Sequence, residues 1–294
     1  MLIERLEYLM TLAREGHFGR AAEVCGVSQP TLSFGIKQLE QSLGVMLVER
    51  GSRFRGLTPE GVQVLSWAQR IVADAAAMRA QAIAARGGLS GRLRIAAIPT
   101  ALAALVDITT PLREKYPAIS FTVLSRSPVE ILAMLGSFEI DAGVTYLDDE
   151  QLGDLVATPL YQERYHLVTS AGCHLHDRKE VSWAEVAELP LCLLTTDACS
   201  QSVIERHLPG ATPSLQSNSM IVLLSHIRTG RWSSIMPLDP TSAAATDDTL
   251  LCIPIVEPAV QNLVGIIASR STPQAPLVDA LVRDAAWGKR FGTI

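Results

Sequence analysis

Ser28, Gln29, Pro30, Thr31 and Ser33 are small or hydrogen-bonding residues crowded into six positions just after Gly26. Presented by the start of a helix, such side chains reach base edges in a DNA major groove, and Gln29 suits an adenine edge. A second group is basic. Lys37, Arg50, Arg53 and Arg55, with the Thr58 hydroxyl close in sequence, suit phosphate oxygens or a minor groove. A third group is spread over the rest of the chain. Thr100, Thr195, Thr196, Asn218 and Ser219 fall where strands are expected to end and helices to begin, and Arg126 follows a strand, where its guanidinium can pair with a carboxylate. Together these suit a small anionic metabolite. Each hydroxyl also suits helix capping, and Ser and Thr can do both.

The elements that must hold these residues are legible from apolar spacing. Leu2, Leu6, Leu9, Met10 and Ala13 recur at helical period and stop at Gly16; Phe18, Ala21, Ala22 and Val24 give a second helix. Leu32, Ile36, Leu39 and Leu43 give a third, ended by Gly44. Two short helices joined through Gly26 form the pattern of a helix-turn-helix. Val45 to Val48 and Leu57 read as short strands around a loop, Glu49 to Gly56, that carries the arginines as a wing. Thr58, Pro59 and Glu60 then read as the cap and first turn of a long Ala-rich helix, Glu60 to Arg86. With little core of its own, that helix is expected to dimerise; the alternative is a core helix of the following domain.

Gly87-Gly88-Leu89-Ser90-Gly91 marks the clearest domain boundary. Beyond it strands and helices alternate: a strand at Leu93 to Ile98, a helix at Thr100 to Lys115, and onward to a last helix at Pro276 to Trp287. Such alternation predicts an open α/β sheet architecture, and its length suits two small lobes. Ligands in such folds bind at the carboxyl ends of strands, so Thr100, after Pro99, is expected at a positive helix end. The expected domains are 1–59, 60–88 and 89–294, with one lobe near 92–165 and 268–294 and the other near 166–267.

The net charge of −5 looks wrong for a DNA binder until it is divided by region. Up to Glu60, Arg5, Arg14, Arg20, Lys37, Arg50, Arg53 and Arg55 are balanced by Glu4, Glu7, Glu15, Glu23, Glu40, Glu49 and Glu60, so the rest of the chain carries the deficit. A local cluster matters more to phosphate binding than the total, and this balance predicts modest affinity from a single copy. MLIERLEYLM carries charge inside its apolar stretch and does not read as a signal peptide; apolar runs such as Met220 to Leu224 are too short to span a bilayer. The five scattered cysteines, without metal-finger spacing, favour a reducing compartment, and the expectation is a cytoplasmic protein with no membrane partner. His166, His174, His207 and His226 have no Asp or Ser at recognisable motif spacing, and neither a nucleophile elbow nor a phosphate-binding Gly loop occurs. No catalytic residue, metal ligand or cofactor is therefore assigned. Cys173-His174-Leu175-His176 has metal-ligand types but forms one short cluster, which a surface turn also explains.

FGRAAEVCGVSQPTLSFGIKQLEQSLGVMLVERGSRFRGLTPEG, Phe18 to Gly61, resembles the DNA-binding pattern of LysR-type transcriptional regulators, and the resemblance extends over essentially the whole chain. It implies α/β architecture with an N-terminal winged helix-turn-helix, a dimerising linker helix, and a two-lobed effector domain similar to periplasmic binding proteins. The crossover strands are expected near Tyr165 to Thr169 and Val264 to Ala268. The partners it implies are double-stranded promoter DNA, a small-molecule effector between the lobes, further copies of the chain as a homodimer or homotetramer, and RNA polymerase. Two positions depart from the pattern. Phe34, followed by Gly35, stands where family members usually have a basic residue contacting the DNA backbone, and Val48 stands where they usually have Phe. Phe34 thus removes one charge from the phosphate contact, or packs at a protein surface.

HIRTGRWSSIMP, within Asn218 to Pro237, looks like regulators found beside formate dehydrogenase genes, which suggests formate or another small carboxylate, with Trp232 either walling a small pocket or buried structurally. Cys199 gives a redox alternative, because some family members sense peroxide through a cysteine at about this point; no cysteine follows it before Cys252 to act as a resolving partner. A solute-binding protein without DNA activity would share the α/β half but would leave the first 60 residues unexplained.

Overall fold

Among the described residues of the computed structural model, four helices build the first compact unit, Met1–Gly87. The structure describes residues 2–49, 54–147, 152–153, 155–195, 198–238, 247–270 and 274–287. Helix α1 (Leu2–Glu15) buries Leu6, Leu9 and Leu12. These meet Ala21 and Ala22 of α2 (Phe18–Val24), and Leu32, Ile36 and Leu39 of α3 (Gln29–Leu43), in one apolar core. Both short helices are capped by their own sequence. The His17 ring accepts from the Gly19 and Arg20 amides, and Ser28 Oγ accepts from the Thr31 amide. Gly26 and Gly44 take positive φ, 66° and 73°, where the chain turns out of α2 and α3.

Glu40 explains how the chain turns back after α3. Its buried carboxylate accepts from the amides of Leu47 and Val48 at 2.9 and 3.3 Å. Where two short strands are expected in the wing, the described residues form a single antiparallel bridge, Val48 to Leu57, with the Glu49 amide donating to the Gly56 carbonyl. Helix α4 (Pro59–Gly87) follows, 29 residues and therefore about 43 Å long. Gly61 lets it start there, because a Cβ at that position would stand 2.0 Å from the Leu47 carbonyl oxygen.

The second unit, Gly88–Ile294, carries strands β1 (Gly91–Ala97), β2 (Ile119–Ser125), β3 (Ala142–Tyr146) and β4 (Leu155–Ser170). These are followed by β5 (Val181–Ser182), β6 (Cys192–Leu194), β7 (Leu215–Ser217), β8 (Ser234–Leu238), β9 (Leu250–Val256) and β10 (Gln261–Ser269). Its helices are α5 (Val106–Lys115), α6 (Pro128–Gly136), α7 (Trp183–Ala187), α8 (Ala198–His207), α9 (Met220–Ile227) and α10 (Pro276–Trp287). The main sheet runs β2-β1-β3-β10-β4-β9-β5, with β8 also paired to β4, and β6 pairs with β7 apart from it.

Sixteen-residue β4 joins the two lobes. Up to Arg164 it pairs with β10, and from there to Ser170 it pairs with β8 and β9. One apolar core gathers on the β1–β3 side, around Leu93, Ile95, Val144 and Leu281. Two more gather in the other lobe, one around Tyr165 and Trp183, the other around Leu223, Ile227 and Met236. The helix expected from Thr100 does not begin there. Pro99–Ala101 is a short 3-10 turn preceded by Ile98, which offers no capping side chain, and α5 starts only at Val106.

Candidate DNA interface and inter-lobe site

On α3, residues 32, 35, 36, 39 and 40 point into the protein while Gln29, Pro30, Thr31, Ser33, Phe34 and Lys37 are exposed. The predicted recognition residues therefore share one exposed region, and the N-terminal end of their helix carries a partial positive charge that favours phosphate. Two of them have structural work as well. Ser28 caps α3 and its Oγ lies 2.8 Å from Thr31 Oγ1. Thr58, assigned above to a phosphate, uses its hydroxyl to donate to the Met46 carbonyl at 2.6 Å and to accept from the Gly61 amide at 2.9 Å. It caps α4 and fixes the return of the wing. Arg55 is exposed; Arg50 and Arg53 lie outside the described residues. Among the described residues no helix is long and apolar enough to cross a membrane.

In the second unit, parallel β1 and β2 end side by side, and the Arg126 amide donates to the Ala97 carbonyl, so Thr100 and Arg126 follow neighbouring strand ends. The Arg126 guanidinium bonds its neighbour's carbonyl, Ser125, at 2.8 Å. In the other lobe the Thr195 amide donates to the Ser217 carbonyl, bringing Thr195 beside Asn218 and Ser219 at the ends of β6 and β7. Thr196 lies outside the described residues. Ser219 precedes α9, but its side chain does not cap it. The predicted polar residues thus fall into two groups, one per lobe.

Beside Thr100 lies a buried carboxylate, Glu163, that is not among the predicted site residues. Thr100 Oγ1 donates to Glu163 Oε2 and Tyr161 OH to Glu163 Oε1, both at 3.4 Å. Glu163 is only 1% exposed and lies on β4 beside the change of pairing partner. The turn holding Thr100 also comes within 8 Å of β8 in the other lobe. At the end of β3, the buried hydroxyl of Thr145 has no hydrogen-bond partner among the described residues. The signal for Glu163 was available: a carboxylate two residues after Tyr161 on an otherwise apolar strand face is costly to bury without hydrogen bonds.

The thiols of this unit are unequal. Burial pushes the Cys252 thiol up to about 11 and also raises Cys192, so both stay protonated at neutral pH. Cys199 falls in the first turn of α8, whose second half is anchored by buried Val203 and Ile204 and by His207 stacked 4.8 Å from Trp183. The Cys199 side chain itself lies outside the described residues. Trp232 packs against the core of its lobe, with its ring edge-on to His226 at 6.0 Å. No metal-binding group of His, Cys, Asp or Glu occurs among the described residues.

Residues 3–62 match the family described as bacterial regulatory helix-turn-helix protein, lysR family, and residues 86–286 match the LysR substrate binding domain. The DNA-binding transcriptional dual regulator OxyR of Escherichia coli K12 is 28% identical over 278 residues, covering 93% of this chain and 91% of that protein. A probable hydrogen peroxide-inducible genes activator of Mycobacterium xenopi is 37% identical over 177 residues, 60% of this chain and 93% of its own. Among solved structures, full-length OxyR from Pseudomonas aeruginosa, in a cysteine-to-aspartate variant, superposes with a TM-score of 0.76 at 27% identity, covering 97% of this chain and 94% of that one. Full-length CbnR complexed with its target DNA shares the fold, with a TM-score of 0.64 at 21% identity over 98% of this chain and all of that one.

Proposed function

This chain belongs to the LysR family of DNA-binding transcriptional regulators, and from that premise we propose that it is an oxidant-responsive regulator acting through Cys199. The observation that carries this reading is the likeness, over 93% of the chain, to a regulator named OxyR, together with the hydrogen peroxide-inducible activators among its relatives. The position of Cys199 in the first turn of α8 supports it, since a helix N-terminus favours the thiolate. The thiolate sulfur attacks one oxygen of hydrogen peroxide, the O–O bond breaks, and hydroxide leaves. Sulfur is oxidised to a sulfenic acid as peroxide is reduced by two electrons. With no cysteine between Cys199 and Cys252, the sulfenic acid condenses with a small external thiol, releasing water and leaving a mixed disulfide.

On DNA, α3 enters the major groove and the wing arginines Arg50, Arg53 and Arg55 take phosphates or the minor groove. Several copies engage several half-sites at once, which offsets the modest charge of each. On α4, exposed Trp67, Ile71 and Met78 share one helical face and suit pairing with a second copy. Chemistry in the second unit then re-spaces the DNA-binding units of a homodimer or homotetramer in the cytoplasm, and RNA polymerase reads the outcome.

A second reading keeps a small-molecule effector, supported by Thr100 and by the buried Thr145 hydroxyl, which has no partner among the described residues, at adjoining strand ends. A carboxylate such as formate seated at Thr100 would face the Glu163 carboxyl, so a neutral hydrogen-bonding ligand suits this spot better. One experiment separates the readings. Purified protein is treated with hydrogen peroxide and a sulfenate-trapping dione, then mapped by mass spectrometry. An adduct on Cys199 supports the oxidant reading. No adduct, with a rise in melting temperature on a small carboxylate or neutral metabolite that Thr100→Val abolishes, replaces it with the effector reading.

A further inference from the structure

Phe34 stands 60% exposed on α3, an aromatic ring in water on a helix that turns Leu32, Ile36 and Leu39 inward. Its place on the helix is specific. At 100° per residue, Pro30, Ser33, Phe34 and Lys37 form one stripe at i, i+3, i+4 and i+7, opposite buried Leu32, Gly35 and Leu39. The inward-facing neighbour Gly35 is covered by Tyr8, whose ring carbon stands 2.7 Å from where a Gly35 Cβ would be. Phe34 therefore projects outward from the second turn of the helix, between a hydroxyl and an ammonium that suit base and phosphate contacts.

A phenyl ring carries no donor or acceptor for phosphate oxygens. The one apolar group that a base pair offers in the major groove is the C5-methyl of thymine. We propose that Phe34 is a specificity-determining residue that packs on a thymine methyl in each half-site, so that a basic backbone contact is exchanged for apolar readout of an A·T pair. The assignment rests on DNA binding through α3.

The test uses the full-length protein and an operator selected from random double-stranded DNA. Each thymine of the selected half-site is replaced in turn by deoxyuridine, which removes only the methyl group. At one thymine per half-site the replacement weakens wild-type binding roughly fourfold, the value of one buried methyl. Phe34→Ala weakens binding by at least as much and becomes insensitive to that replacement, while Phe34→Leu keeps part of the sensitivity. Lys37→Ala weakens binding but leaves the thymine effect intact. Melting curves of the variants match wild type, since the ring is exposed. Sequence-selective binding with no thymine coupled to Phe34 overturns this assignment alone. Enrichment of no sequence at all overturns DNA reading through α3 and this assignment with it.

Discussion

Glu40 and His166 carry the clearest consequences at the scale of single residues. Glu40 holds two backbone amides that would otherwise be buried without acceptors. Glu40→Ala is expected to lower stability by about 1–3 kcal/mol, read from the urea midpoint of the first unit, whereas Glu40→Gln retains one acceptor and loses less. His166, on β4, is pushed below the ordinary histidine value of 6.5 chiefly by burial, which outweighs the opposing pull of its hydrogen bond to the Arg164 carbonyl. The Arg164 charge adds a smaller push downward. The unfolded chain therefore takes up a proton first as the pH falls. The stability that the neutral ring contributes is full above about 6.5 and declines below it. His166→Gln should flatten that decline in melting temperature between pH 6.5 and 5; an unchanged slope would mean that other groups set it.

At the scale of elements, the helix-turn-helix was legible because each device in it is local: a cap at Ser28, positive φ at Gly26 and Gly44, and an apolar stripe at helical period. The return after α3 was not, since it depends on Glu40 reaching residues seven and eight positions on. In the second unit, the crossover strand was seen only in its second half. Leu155 to Arg164 mixes Pro159 with charged Glu163 and Arg164, which hides a strand whose partners are more than ninety residues away. β9 was missed for a related reason, as Pro254 interrupts its apolar run. Thr100 was placed at a strand end as expected, but the missing cap at Ile98 put it in a 3-10 turn, and Glu163 became its partner. Gly61 gives the sharpest element-level prediction. Gly61→Ala drives a methyl into the Leu47 carbonyl, so either α4 starts later or the wing return shifts, at a cost of about 1–3 kcal/mol and a loss of DNA affinity. A variant as stable as wild type would show that this approach is not required.

For the whole molecule, the chain belongs to a DNA-binding family despite its net charge of −5, and we propose that several copies of a locally balanced unit bind together to make up for it. Trp67→Glu with Met78→Glu should shift the protein to monomers in analytical ultracentrifugation at micromolar concentration and abolish tight operator binding, with melting of each unit little changed. An intact oligomer would move the interface away from α4. We propose that chemistry at Cys199 governs how the oligomer holds DNA, and the footprint of the full-length protein on its selected operator, before and after stoichiometric hydrogen peroxide, is the sharpest test. The footprint should change length or position in wild type and stay fixed in Cys199→Ser, which still binds. A wild-type footprint unaltered after Cys199 is fully oxidised, or an equal response from Cys199→Ser, would contradict it.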